Sequence, residues 1–407
     1  MKVMRNTFSS IAGMLIAGTL AASLSGCGFI SESSPNTEAS AVSTKIAQIG
    51  AEESLSSEPT IPADLTDPTG VVGDAGLVET LSFMEVSGFQ GTILVGKNAS
   101  VVYEKSFGYA DVDEGVLNSV DTTYEIGLVT KQFTAASVML LVEEGLIGLD
   151  DYLSDYLPEY AHAGEITVRQ LLNMTSGIPD FLDNSIVNRE YTRKLLDKGL
   201  TRSETMNAII EYETIDASFE TVLALVNDVG LSFEPGTEYE YSNTGYVFLA
   251  EMVARVSEIP YVHYMQKNVL SPLGLETASF ESSSSTASGY LSSGKIQMLV
   301  PDTKLQAEAG LRMSADDLFN WSMIVLGRDF LTHESWNLIL GIGQDTYGFG
   351  IESDLDGNLK IDSAVGGFRC IQIMIPSSDL VIIILSNRNS DAEVFEQLSQ
   401  TVIDYYK

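Results

Sequence analysis

The sequence predicts an α/β (α+β) fold: an antiparallel sheet flanked by helices, completed by both ends of the chain, with a mostly helical region inserted between its halves. Three observations carry this expectation. Strand-like runs come early, within TILVGKNASVVYEKSFGYAD, and return late, in RCIQIMIP and LVIIILSN. Helical patterning fills the middle. The 407 residues, 44% of them hydrophobic, suffice to bury a real core.

The first segment reads as a targeting sequence. Lys2 and Arg5 precede an apolar run of small residues from Ile11 to Leu24, too short to span a bilayer comfortably. The run ends in Leu24-Ser25-Gly26-Cys27, which resembles the bacterial lipoprotein cleavage box, in which the signal is cut before a cysteine that carries the lipid. Residues 1–27 are therefore expected to be a lipoprotein signal peptide, with Cys27 the lipidation site. The expected location is the extracytoplasmic face of the cell membrane. The other cysteine is Cys370, so lipidation of Cys27 leaves no partner for an internal disulfide.

Residues 28–74 are rich in Ser, Glu, Thr, Pro and Ala and nearly free of aromatics. Such a stretch buries too little apolar surface to offset ordering entropy and reads as a tether. About forty residues of random coil reach roughly 35 Å. The folded domain is expected over residues 75–407, with its sheet part at about 75–127 and 340–407 and its helical part at about 128–300.

Ala75 to Val86 reads as an amphipathic helix. Two strands follow, joined at Gly96-Lys97-Asn98. The run LVTKQFTAASVMLLVEEGL is apolar nearly all round and closed by Gly145, the mark of a helix buried inside a domain. Helices are expected to about Leu275. Late strands are expected at YGFGIES, RCIQIMIP and LVIIILSN, then a last helix from Asp391 to Tyr406.

The charge is strongly one-sided, 22 Lys+Arg against 56 Asp+Glu, or −34 at pH 7. Such a surface repels nucleic acid, which is excluded as a partner, and keeps the chain soluble. No His/Cys/Asp cluster has metal-ligand spacing, no G-x-S-x-G elbow occurs, and no cofactor is expected.

The segments YEIGLVTKQFTA, EEGLIGLDDYLSDYLPEY, ITVRQLLNMTSGIPDF, FEPGTEYEYSNTGYVFLAEMV and SPLGLETASF resemble the penicillin-recognising serine hydrolases. These include class C β-lactamases, D-alanyl-D-alanine carboxypeptidases and related esterases. The resemblance spans about Ala75 to Lys407 and implies a β-lactamase/transpeptidase-like fold. It also implies three chemical pieces. The first is S-x-x-K at the start of a buried helix, where a lysine on the same helical face helps deprotonate the serine. Here it reads Leu128-Val129-Thr130-Lys131, so the lysine is kept and the nucleophile is not. An acyl-enzyme cannot form on leucine; in other serine hydrolases, loss of the nucleophile costs on the order of a millionfold in turnover.

The second piece is Y-x-N, present as Tyr241-Ser242-Asn243. The resemblance assigns the tyrosine to proton transfer and the asparagine to holding the lysine and a substrate amide. A purely structural role, keeping Lys131 from being an unpaired buried charge, is equally open. The third piece is K-T-G or H-x-G on a strand, a basic residue and a glycine beside the nucleophile. Counting back from Gly366-Gly367-Phe368 places Ile361-Asp362-Ser363 there, with neither. Thr130 cannot substitute for the nucleophile, since helical neighbours do not face each other, and Ser176 reads as part of a helix-ending turn. Cys370 reads as core packing.

Three functions stay open. One is a lipid-anchored pseudoenzyme binding a peptidoglycan stem peptide or an envelope protein through the old cleft. Another is a hydrolase with altered chemistry using Lys131 and Tyr241. The third is a structural domain displayed on its tether, with the cleft collapsed around Leu128.

Overall fold

The computed structural model describes residues 72–182, 218–293, 296–300, 306–341, 347–354, 356–389 and 392–406. The expected signal segment, Cys27 and all but the last residues of the expected tether lie outside the described residues. The first described residues, Val72–Gly73 (β1), lie just before the expected start of the domain at Ala75 and already pair with Glu104 and Tyr103 at a sheet edge.

The sheet adds Gly91–Lys97 (β2), Ser100–Phe107 (β3), Leu359–Val365 (β4), Phe368–Ile375 (β5) and Leu380–Ser386 (β6). Its order is β1-β3-β2-β6-β5-β4. Every pairing is antiparallel. The two chain ends meet where β6 pairs with β2, Ile384 opposite Ile93. Strand β4 forms the edge at which the site lies.

Both faces of the sheet are covered, so β6 is buried along its whole length and reads as an unbroken apolar run, not an alternating one. On one face Leu94, Cys370, Val381, Ile383 and Leu385 join the large core of the helical body. On the other, Ile93, Ile371, Ile382 and Ile384 meet Leu77 and Phe395. Those two residues belong to the terminal helices Ala75–Thr80 (α1) and Ala392–Tyr405 (α5). Between them in sequence come Thr130–Glu143 (α2), Asn243–Ser257 (α3) and Ala315–Gly327 (α4). Helix α2 is buried on nearly every side, and Gly145 (φ 71°) closes it in the left-handed region.

Three expectations are corrected. The β2–β3 turn falls at Asn98 and Ala99, both at positive φ, while Gly96 lies inside β2 at a register shift. The YGFGIES run is not a strand but a tight turn closed by a bridge between Tyr347 and Glu352, with Ser353 bridging to Leu359. The nominally helical middle contains a hairpin, Gly289–Ser293 with Ile296–Val300. Among the described residues, no helix is long and apolar enough to cross a membrane.

Candidate active site

The site forms where the buried helix α2 begins beside the edge strand β4. The chain enters α2 through one 3₁₀ turn, Gly127–Val129. This puts Leu128 and Lys131 one turn apart on the same helical face. Leu128 is only 7% exposed, yet it belongs to neither hydrophobic core. It lines the wall of the site.

Lys131 is 1% exposed. Its Nζ donates to Asn243 Oδ1 at 2.7 Å and to the Glu308 carbonyl at 2.9 Å. The chain of bonds continues from Asn243 Nδ2 to Asp180 Oδ2 at 2.8 Å, while Asp180 Oδ1 accepts from the Leu182 amide at 3.0 Å. Nζ also lies over the rings of Tyr241 and Tyr246, 5.2 and 5.6 Å from their centroids. Asn243 opens α3, so that helix start fixes the amide between lysine and aspartate.

Burial pushes the Lys131 ammonium pKa down, against the pull of the carboxylates of Glu308 and Asp180. Burial likewise pushes Glu308 up, against Lys131. It raises Asp180 to about 6, against the N–H groups of Leu182 and Asn243 and the charge of Lys131. Glu308 Oε1 is buried with no hydrogen-bond partner. The lysine charge is thus balanced inside the protein by two carboxylates. Tyr241 is held well above its ordinary pKa by burial first and by Asp180 next. At neutral pH it is a phenol, and its contact with Lys131 is through the ring face.

The strand motif divides between the two faces of the sheet, because successive side chains on a strand point opposite ways. Ile361 packs against the core on the helical side, and Ser363 points the same way. The Ser363 Oγ accepts from the Leu128 amide at 2.8 Å and packs against Gly127, whose φ of 53° and missing Cβ leave room for it. Asp362 faces the opposite side, where Arg369 donates to both its oxygens at 2.9 and 2.7 Å. The guanidinium in turn lies 5.0 Å from the Phe395 ring centroid of α5. Asp362, expected in the site, is therefore part of the packing beneath the terminal helices.

The Leu128–Ser363 bond has a direct chemical meaning. In serine hydrolases the backbone N–H at the nucleophile's own position helps hold the oxyanion. Here that donor is satisfied by a hydroxyl of the same chain. Leucine removes the attack, and Ser363 fills a place the developing charge would need.

Asn243, Lys131 and Tyr241 come together as the motifs anticipated. Asp180, Glu308 and Tyr246 complete the arrangement without having been singled out; a lone carboxylate in the apolar run QAEAGL was the available signal for Glu308. Ser176 sits in the turn after the helix Val168–Leu172, its Oγ accepting from the Ile178 amide at 3.3 Å. Gly350 completes the site's other wall: at φ 76° it approaches the Lys131 carbonyl so closely that a Cβ would collide with it. That contact seats the Tyr347–Glu352 turn on α2.

Known proteins share this frame. Penicillin-binding protein 4* of Bacillus subtilis is 28% identical over 352 residues, 79% of this chain and 72% of that protein. Protein flp of Staphylococcus aureus is 27% identical over 337 residues, 77% of this chain and 63% of flp's own length. Among solved structures, FmtA from Staphylococcus aureus superposes with a TM-score of 0.67 at 17% identity, over 89% of this chain and 94% of that one. A penicillin-binding protein from Bacillus halodurans gives 0.66 at 21% identity, over 79% and 98%. Both structures share the fold. The Beta-lactamase family profile matches residues 82–406, nearly the whole of the described domain, and the chain belongs to that family.

Proposed function

We propose that this protein is a non-catalytic member of its family, exported and held at the membrane by lipid on Cys27, which binds a cell-envelope peptide in the old cleft without cleaving it. One observation carries the reading: the residue at the nucleophile position is leucine, and its amide is already bonded to Ser363 Oγ at 2.8 Å. The internal balance of Lys131 by Glu308 and Asp180 supports it. The envelope setting is supported by the Leu24–Cys27 box and by relatives named penicillin-binding proteins.

Incubation of the full chain with a fluorescent penicillin is expected to leave no covalent label after denaturation. A stoichiometric acyl adduct would overturn the proposal. A second reading, in which Lys131 activates water directly, draws on the burial that makes its ammonium easier to deprotonate. It requires ester or amide turnover that disappears in Lys131→Ala. Rates at background on a broad ester and β-lactam panel remove it.

A further inference from the structure

Away from the site, Glu104 brings a carboxylate into a dry joint between the sheet and the helical body. It lies on β3, opposite Leu94 of β2. Tyr103 and Phe107 belong to the core beneath the terminal helices, so strand alternation turns Glu104 and Ser106 to the helical side. There Glu104 is only 7% exposed, and its Oε1 is buried with no hydrogen-bond partner.

Contacts on either flank define the joint. On one, Thr92 shares hydrogen bonds of 2.9 Å with the Ser106 and Tyr124 hydroxyls. On the other, Gly96 lies against the Phe319 ring of α4. Tyr124 and Glu125 pair antiparallel with Met313 and Arg312. Asp121 precedes the first of these short strands and Asp316, in the first turn of α4, follows the second, so the pairing brings both aspartates to one end of the ribbon. Both are exposed, at the mouth of the joint.

The cations of the surrounding elements point elsewhere. Lys105 lies over the Phe107 ring on the far face, Lys97 donates to the Ser378 carbonyl, and Arg312 is directed to Glu125 and the Phe280 carbonyl. Helix α4 itself carries none. Asp317 is held by Thr277, and the Tyr124 hydroxyl is bonded to Thr92 and Asn118. Burial first, then the charges of Asp316 and Asp121, raise the Glu104 carboxyl from 4.5 to about 7.

We propose that Glu104 is a proton-operated latch: protonated, it lets the first turn of α4 close against β3, and ionised, it opens that joint to water. The closed joint keeps a proton that the unfolded chain releases. Its contribution is therefore complete below about pH 4.5 and is lost as pH rises through about 7.

Urea titrations of the full chain from about pH 4 to pH 8 test the latch. The folded-to-unfolded ratio of the wild type, relative to Glu104→Gln, is expected to fall about two-hundredfold over that range. Backbone hydrogen exchange, corrected for its intrinsic rate, should rise with pH across Ser100–Phe107 and the start of α4 in the wild type and stay level in Glu104→Gln. Asp316→Asn, an exposed change that removes one repelling charge, should move the midpoint of that rise to lower pH. A ratio that does not vary with pH, or exchange that rises equally in Glu104→Gln, overturns the proposal. So does a midpoint that Asp316→Asn leaves unmoved, a readout that stands even where Glu104→Gln fails to fold.

Discussion

At the scale of single residues, the site is a problem of charge balance. Lys131 brings one positive charge into a dry region where Glu308 and Asp180 can each bring a negative one, so the group holds more acid than base. Asp180 shows this most clearly, its carboxyl raised from 3.8 to about 6 because burial outweighs the bonds it accepts. A raised folded pKa means that the native chain keeps a proton the unfolded chain releases. The contribution to stability is therefore complete below about pH 4 and is lost as pH rises to about 6, an amount near 3 kcal/mol. In urea titrations, the stability of the wild type relative to Asp180→Asn should fall by about that much across this window. A difference that does not vary with pH would refute the assignment. The motif residues Lys131, Tyr241 and Asn243 were legible because their spacing is local. Glu308 was not, since its carbonyl meets Lys131 across 177 positions of chain, a separation that no local pattern encodes.

At the scale of elements, the site depends on how β4 lies against the start of α2. The alternation of β4 sends Ser363 toward Leu128 and Asp362 away, so one strand register decides which residues can act there. Restoring the nucleophile alone leaves the Leu128 position's amide bonded to Ser363. Leu128→Ser is therefore expected to remain unlabelled by fluorescent penicillin, while Leu128→Ser combined with Ser363→Gly should show slow but detectable acylation. Equal labelling of the single and double variants would show that the Ser363 hydroxyl is no obstacle. The late strands and the buried helix were readable from long apolar runs. The Tyr347–Glu352 turn was not: YGFGIES has the composition of a strand, but Gly350 at φ 76° against the Lys131 carbonyl bends it. The first hairpin misled for a similar reason. Gly96 reads as a turn residue, yet it is spent on close approach to the Phe319 ring, and Asn98 and Ala99 take the turn.

At the scale of the whole molecule, the sheet separates two cores with different duties. The helical side carries the site and its charge network. The other side is closed by α1 and α5, the first and last helices of the folded domain, over Ile93, Ile371, Ile382 and Ile384. Asp362 belongs to this second core in all but its strand number: Arg369, whose side chain is only 6% exposed, depends on it for both carboxylate bonds and stacks on Phe395. Removing the carboxylate strands a buried guanidinium, which costs far more than an exposed ion pair contributes. Asp362→Ala should thus lower stability by about 2 kcal/mol, read as a lower urea midpoint. Because the sheet stands between Asp362 and the cleft, the variant should bind Nα-acetyl-Lys-D-Ala-D-Ala with unchanged affinity at temperatures where it is folded. If affinity falls while the urea midpoint holds, Asp362 acts in the site after all, and the division of β4 between two faces fails as an account of this protein.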